Sequence, residues 1–104
     1  MPWLLLLLAG LLEVVWATAL KASAGFTSVS WSVLTAVAAA GSFWLLGLAM
    51  RDLPLGTAYS VWVGIGAVGA VILGIVWFDD PATPLRLGGI AAILAGVAML
   101  RLAG

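Results

Sequence analysis

Apolar residues run almost unbroken along this chain and are interrupted at three places, KASAGFTSV, RDLP and DDPATP. The interruptions leave four apolar stretches, Pro2 to Leu20, Ser30 to Met50, Leu55 to Phe78 and Leu85 to Ala103. Each is close to the ~20 residues that a helix needs to cross the hydrocarbon of a bilayer. Inside lipid every backbone polar group must find its partner within the protein, which makes each stretch an expected transmembrane helix. The separators are too short to form a domain of their own. The pattern therefore predicts an all-α integral membrane protein with four transmembrane helices per subunit, residues 1–104 forming a single domain with little outside the bilayer.

Composition agrees and removes several alternatives. Of the 104 residues, 65% are hydrophobic and 8% charged, against about 25% charged in an ordinary soluble domain. Met1 to Leu12 carries no Lys or Arg, so the first stretch lacks the basic start of a secretory signal and is expected to be retained as a helix. There is no cysteine and no histidine, which excludes thiolate metal sites, disulfides and the usual near-neutral proton carrier. Proton chemistry is left to carboxylates, and no metal or cofactor is expected. Four Lys plus Arg balance four Asp plus Glu, so no basic surface points to nucleic acid.

Membrane orientation follows the Lys/Arg asymmetry of short loops. Four crossings put Lys21 and Arg86 on one side and Arg51 and Arg101 on the other, an even split. A balanced count gives insertion no preferred direction, and copies inserted both ways can pair as an antiparallel dimer, the inverted-repeat logic of larger transporters reached with one chain. With only four charges, an even split also arises by chance.

The chemistry gathers around one acid. Glu13 lies well inside the first stretch, where insertion scales put a charged side chain at roughly 2.5–3.5 kcal/mol unfavourable. Such residues usually face a bundle interior and mark an ion or proton pathway; the plainer reading is a neutral carboxyl bonding between helices. Two copies brought together by an antiparallel dimer would titrate as one pair, able to hold protons or a cation. Trp16 follows Glu13 by three residues and shares its face, and Tyr59 and Trp62 repeat that spacing on the third stretch. Trp3, Trp31 and Trp77 fit interfacial belts, while Trp16 and Trp62 sit deeper, where an indole N–H needs a partner and a ring face attracts cations. The Ser42 hydroxyl can donate to a carboxylate or bond its own helix backbone.

The glycines divide by position. Gly64 and Gly66 begin a Gly-rich run in the third stretch that suits either a hinge or close packing. Gly88, Ala92 and Gly96 recur every four residues in the fourth, the small-residue spacing of closely packed membrane helices, and are expected at a dimer interface or within one subunit. Asp79 and Asp80 read as solvated loop charges.

GLLEVVWATALK, with Glu13, Trp16, Ala17 and Lys21, followed by SFWLL and LPLGTAYSVWVGIGAVGAVILG, resembles the small multidrug resistance transporter family over essentially the whole chain. The resemblance implies an antiparallel, dual-topology homodimer in the cytoplasmic (inner) membrane of a bacterium. It would exchange a small cation for protons, with both copies of Glu13 forming the shared site. Trp16 and Ser42 are similar to the guanidinium-exporter branch rather than the quaternary-ammonium branch. In that branch the matching residues hydrogen-bond the glutamate, and those matching Tyr59 and Trp62 line the pocket. Guanidinium, a planar fork of N–H donors, suits a carboxylate bidentately, whereas a quaternary ammonium has no such donor and relies on aromatic faces. Trp44 stands where a smaller ring is expected.

The leading expectation is a secondary transporter, not an enzyme, that exports guanidinium and small substituted guanidinium cations by alternating access, with protons and substrate competing for Glu13. A broader exporter of quaternary ammonium drugs is the nearest alternative. A passive channel and a helper subunit with a structural Glu13 are the others.

Overall fold

The structure is a computed structural model that describes residues 1–103. Regular structure among them is helical throughout: α1 (Pro2–Ala22), α2 (Val29–Ala49), α3 (Leu55–Trp77) and α4 (Pro84–Ala103). The helices are 21, 21, 23 and 20 residues long. At about 1.5 Å per residue each spans roughly the 30 Å of a bilayer core, and all four are long and apolar enough to cross one. The chain is a multi-pass membrane protein.

Helix ends shift by one or two residues from the hydropathy pattern, each for a local reason. α1 continues past Leu20 to Ala22 with Lys21 in its last turn, where a cation complements the helix C-terminus. Ser23 then closes the turn, donating its hydroxyl to the Leu20 carbonyl at 2.7 Å and accepting the Phe26 N–H at 3.1 Å. α3 stops at Trp77 because Asp79 adopts a left-handed backbone, φ 56°, a conformation that Asp tolerates better than most residues. α4 starts one residue early: the Thr83 hydroxyl accepts the Arg86 N–H at 3.2 Å and Pro84 occupies the first helical position, where a missing N–H costs nothing.

The chain forms a slab of 41 × 34 × 16 Å. α1 lies at its centre, packed on α2 and on α3, while α4 packs on α3. Alternation across the membrane brings Lys21, Asp80 and Arg86 to one end of the bundle. Arg51 and Arg101 lie at the other, where the Arg101 guanidinium stacks 4.6 Å over the Trp3 ring. The core joins Leu6 and Ala9 of α1, Leu46 and Ala49 of α2, and Ala58, Val61 and Trp62 of α3.

Between α1 and α3 the contact is set by glycine. Ile65 packs against Gly10, Glu13 against Gly66 and Val14 against Gly69, each so close that a Cβ on the glycine would overlap the facing side chain. Gly64 faces α4 instead, where a Cβ would lie 2.8 Å from Val97 and 3.3 Å from Ile93. Small residues let membrane helices approach where no water is available to drive them together. α3 is one uninterrupted helix through this run. On α4, nothing lies within 4 Å of a Cβ at Gly88 or Gly96, and Ala92 is exposed. Within one chain, therefore, that stripe does not seat a neighbouring helix closely, and α4 has no buried residue.

The glycine seats predict opposite signs for two similar substitutions. Gly10→Ala drives a Cβ into Ile65 and should lower stability by about 1–3 kcal/mol. Gly47→Ala fills open space on α2 and should raise it by up to about 1 kcal/mol. Thermal unfolding in detergent should rank Gly10→Ala below the native chain and Gly47→Ala above it; the reverse ranking would contradict the packing.

Candidate functional site

Glu13 projects from the middle of α1 onto the backbone of α3. Its carboxylate rests where a side chain on Gly66 would otherwise be, so the absence of a Cβ at that position is what gives the acid its place. Oε1 is buried and has no hydrogen-bond partner within the chain. One turn further along α1, Trp16 Nε1 is also buried and also unpartnered. A buried acceptor and a buried donor on one helix face, both without an internal partner, stand out in a protein, because such groups are nearly always satisfied.

Ser42 is fully buried and takes a different part from either of those expected of it. Its hydroxyl donates to the Ala9 carbonyl at 2.7 Å and accepts the Trp62 Nε1–H at 2.9 Å. It bonds neither its own helix nor the Glu13 carboxylate, and Trp16 does not bond the carboxylate either. Ala9 is the residue whose carbonyl takes the backbone N–H of Glu13 in the α-helix. The relay Trp62 to Ser42 to Ala9 therefore joins α3, α2 and α1 at the turn that carries the acid, and its members strengthen one another in a low dielectric.

Four aromatic rings continue from this relay as a wall. Tyr59 and Trp62 have centroids 5.6 Å apart, Trp62 and Phe43 5.5 Å, and Phe43 and Trp16 6.5 Å. All three pairs are tilted by 52–56°, the edge-to-face tendency of interacting rings. Trp62 is only 5% exposed, whereas Tyr59 and Phe43 are 52% and 55% exposed, so the wall has one open side. The structure thus links Trp16, Tyr59, Trp62 and Ser42 to one another, with Trp16 one turn from Glu13 on α1 and Trp62 one turn from Gly66 on α3. Phe43 links them and was not singled out from the sequence; its adjacency to Ser42 in SFWLL was the available signal. Trp44 is exposed and makes no part of the wall. No group of His, Cys, Asp or Glu among the described residues could hold a metal.

Comparison with known proteins gives a consistent result. The sequence profile of the family described as Small Multidrug Resistance protein matches residues 1–93. The chain is 52% identical over 103 residues to a protein of Yersinia pseudotuberculosis named Guanidinium exporter, covering 99% of each. It is also 52% identical over 102 residues to proteins of the same name from Escherichia coli strain K12 and Citrobacter freundii, covering 98% of this chain and 97% of each of those.

The relay can be measured. Ser42→Ala strands the buried Trp62 N–H and should cost about 1–3 kcal/mol of stability. Trp62→Phe added to it removes the stranded donor, so the double variant should lose less than the two single losses combined, with a coupling of about 0.5–3 kcal/mol. Additive losses in a double-mutant cycle would mean that the two side chains do not share the bond.

Proposed function

The chain belongs to the small multidrug resistance family, and on that premise we propose that it exports guanidinium and small substituted guanidinium cations across the inner membrane of a bacterium in exchange for protons. Glu13 is the binding point for both. The observation that carries this reading is the buried Glu13 Oε1, an acceptor within the membrane span with no partner in its own chain. A guanidinium offers planar N–H donors to that carboxylate in a charge-assisted pair. Trp16, Tyr59 and Trp62 supply ring faces beside it, which attract the cation further in a desolvated site. Ser42 acts through the backbone of α1, holding the turn that bears Glu13.

Two copies in opposite orientations complete the site as an antiparallel homodimer. The even distribution of Lys21 and Arg86 against Arg51 and Arg101 favours insertion both ways. The open side of the aromatic wall and the uncovered Gly88, Ala92 and Gly96 stripe are surfaces that such a partner would cover. Alternating access then exchanges two equivalent conformations, with α3 flexing at Gly64 and Gly66. Both glycines also seat neighbouring side chains, so flexing and packing meet at the same residues. Protons and guanidinium exclude one another at the shared carboxylates, which couples outward cation movement to inward proton movement.

Capacitive currents after guanidinium jumps on reconstituted liposomes test this directly. Currents should weaken as pH falls from 9 toward 6, because protons then occupy Glu13, and should vanish in Glu13→Gln. Guanidinium flux that ignores an opposing proton gradient would indicate a passive channel, and full activity in Glu13→Gln would remove the acid from the mechanism. In the same assay Gly64→Ala should slow turnover more than it weakens binding; equal losses would assign that glycine to packing alone. Reporters fused at the C-terminal end should signal on both sides of the membrane, and a signal confined to one side would contradict the antiparallel arrangement.

A further inference from the structure

Glu13, Ala17 and Lys21 form one stripe along α1 at intervals of four residues, and Gly66, Ala70 and Gly74 form the facing stripe on α3. At one end Glu13 lies on Gly66, and about 12 Å further along, at ~1.5 Å per residue, Asp80 lies on Gly74. Between them the stripes carry only Ala17 and Ala70. A cavity of about 240 Å³ opens there, with Lys21 and Asp80 at its outer end and Ala17, one turn short of the buried Glu13, as its innermost residue on α1. That volume accommodates several waters, each needing ~30 Å³ in the liquid.

Asp80 is placed at that outer end by its backbone turn, by its seat on Gly74 and by Arg86, with its side chain half-exposed. Asp79 turns the chain back through its left-handed backbone, φ 56°. The Asp80 N–H then donates to the Gly74 carbonyl at 3.0 Å, and the carboxylate settles where a Cβ on Gly74 would be. Arg86 Nη2 approaches the same carboxylate at 4.0 Å from the first turn of α4. The placement repeats the way Glu13 is seated on Gly66, one carboxylate at each end of a seam lined with small residues.

We infer that this cavity is the aqueous approach to Glu13 from the Lys21 end of the bundle, and that Asp80 is its stopper, seated on Gly74 and retained by Arg86. The inference rests on Glu13 being the ion-binding residue. An exchanger has to close one approach while the other is open, and Asp80 is placed to do so without entering the ion site. Lys21 lines the same cavity, so withdrawing Asp80 removes both the obstruction and a negative charge from its lining.

The chain has no cysteine, so a single introduced thiol reports water access cleanly: only the thiolate reacts, and it forms only where water reaches. Ala70→Cys lies on the wall of the cavity, and Ser30→Cys, exposed at the start of α2, serves as the open reference. Detergent-solubilised protein presents both ends to N-ethylmaleimide, a small neutral reagent, and no substrate is present. Ala70→Cys should react slowly in the otherwise native chain and roughly tenfold faster when combined with Asp80→Ala, as loss of a closed state favoured about ten to one requires. Gly74→Ala should have a similar effect, because a Cβ there displaces the carboxylate while the acid itself is retained. Acceleration by both variants supports the stopper. Rates unchanged by both, acceleration by Asp80→Ala alone, or a native-background rate equal to that of Ser30→Cys would each overturn it. Labelling makes no use of transport, so failure here is distinct from failure of Glu13 to bind guanidinium.

Discussion

A carboxylate set in the hydrocarbon of a membrane has to be housed by the protein, and the seam between α1 and α3 is shaped by that demand. Glu13 can lie against α3 only because Gly66 has no side chain. The approach that this requires is sustained on either side by Ile65 over Gly10 and Val14 over Gly69. These contacts set the register of two helices that run in the same direction, and the register in turn aligns Ala17 with Ala70 and Lys21 with the Gly74 end. Lipid offers no hydrophobic force to press helices together, so close backbone packing and hydrogen bonds carry the association. The site and the helix packing are thus the same set of contacts.

The second helix enters through one hydroxyl. Ser42 binds the Ala9 carbonyl and receives the Trp62 indole, fixing the turn before Glu13 while leaving the carboxylate itself uncommitted. That division suits the proposed exchange: the backbone under the acid stays fixed, and the acid remains available to a proton or to the N–H donors of a guanidinium. The aromatic wall has the same character, with Trp62 buried as its anchor and Phe43 and Tyr59 half-exposed toward the side that the proposed second subunit would close.

How much of this could be read beforehand depended on which force decided it. Four spanning helices were legible because a bilayer demands about 20 apolar residues and leaves few alternatives. Their exact bounds were not, since the ends are settled by a Thr83 cap, a Ser23 turn and the left-handed Asp79, features that hydropathy does not register. Glu13 announced itself by its unfavourable position. The partner of Ser42 did not, because it is a main-chain carbonyl 33 residues away, and every residue type offers the same carbonyl. Phe43 does not stand out in the sequence, because an aromatic ring in a membrane helix is ordinary until its neighbours are known. The Asp80 seat on Gly74 was not legible for a similar reason: it exists only once α3 has ended and the chain has turned back.

Protons and guanidinium are proposed to share the Glu13 carboxylates, and that sharing can be measured by counting protons released when guanidinium binds to the solubilised protein. Calorimetric titration in buffers of different ionisation enthalpy gives that count. Proton release should shrink as pH rises and Glu13 is already unprotonated, and both release and binding should be lost in Glu13→Gln. Guanidinium binding that releases no protons at any pH, or that survives intact in Glu13→Gln, would contradict it.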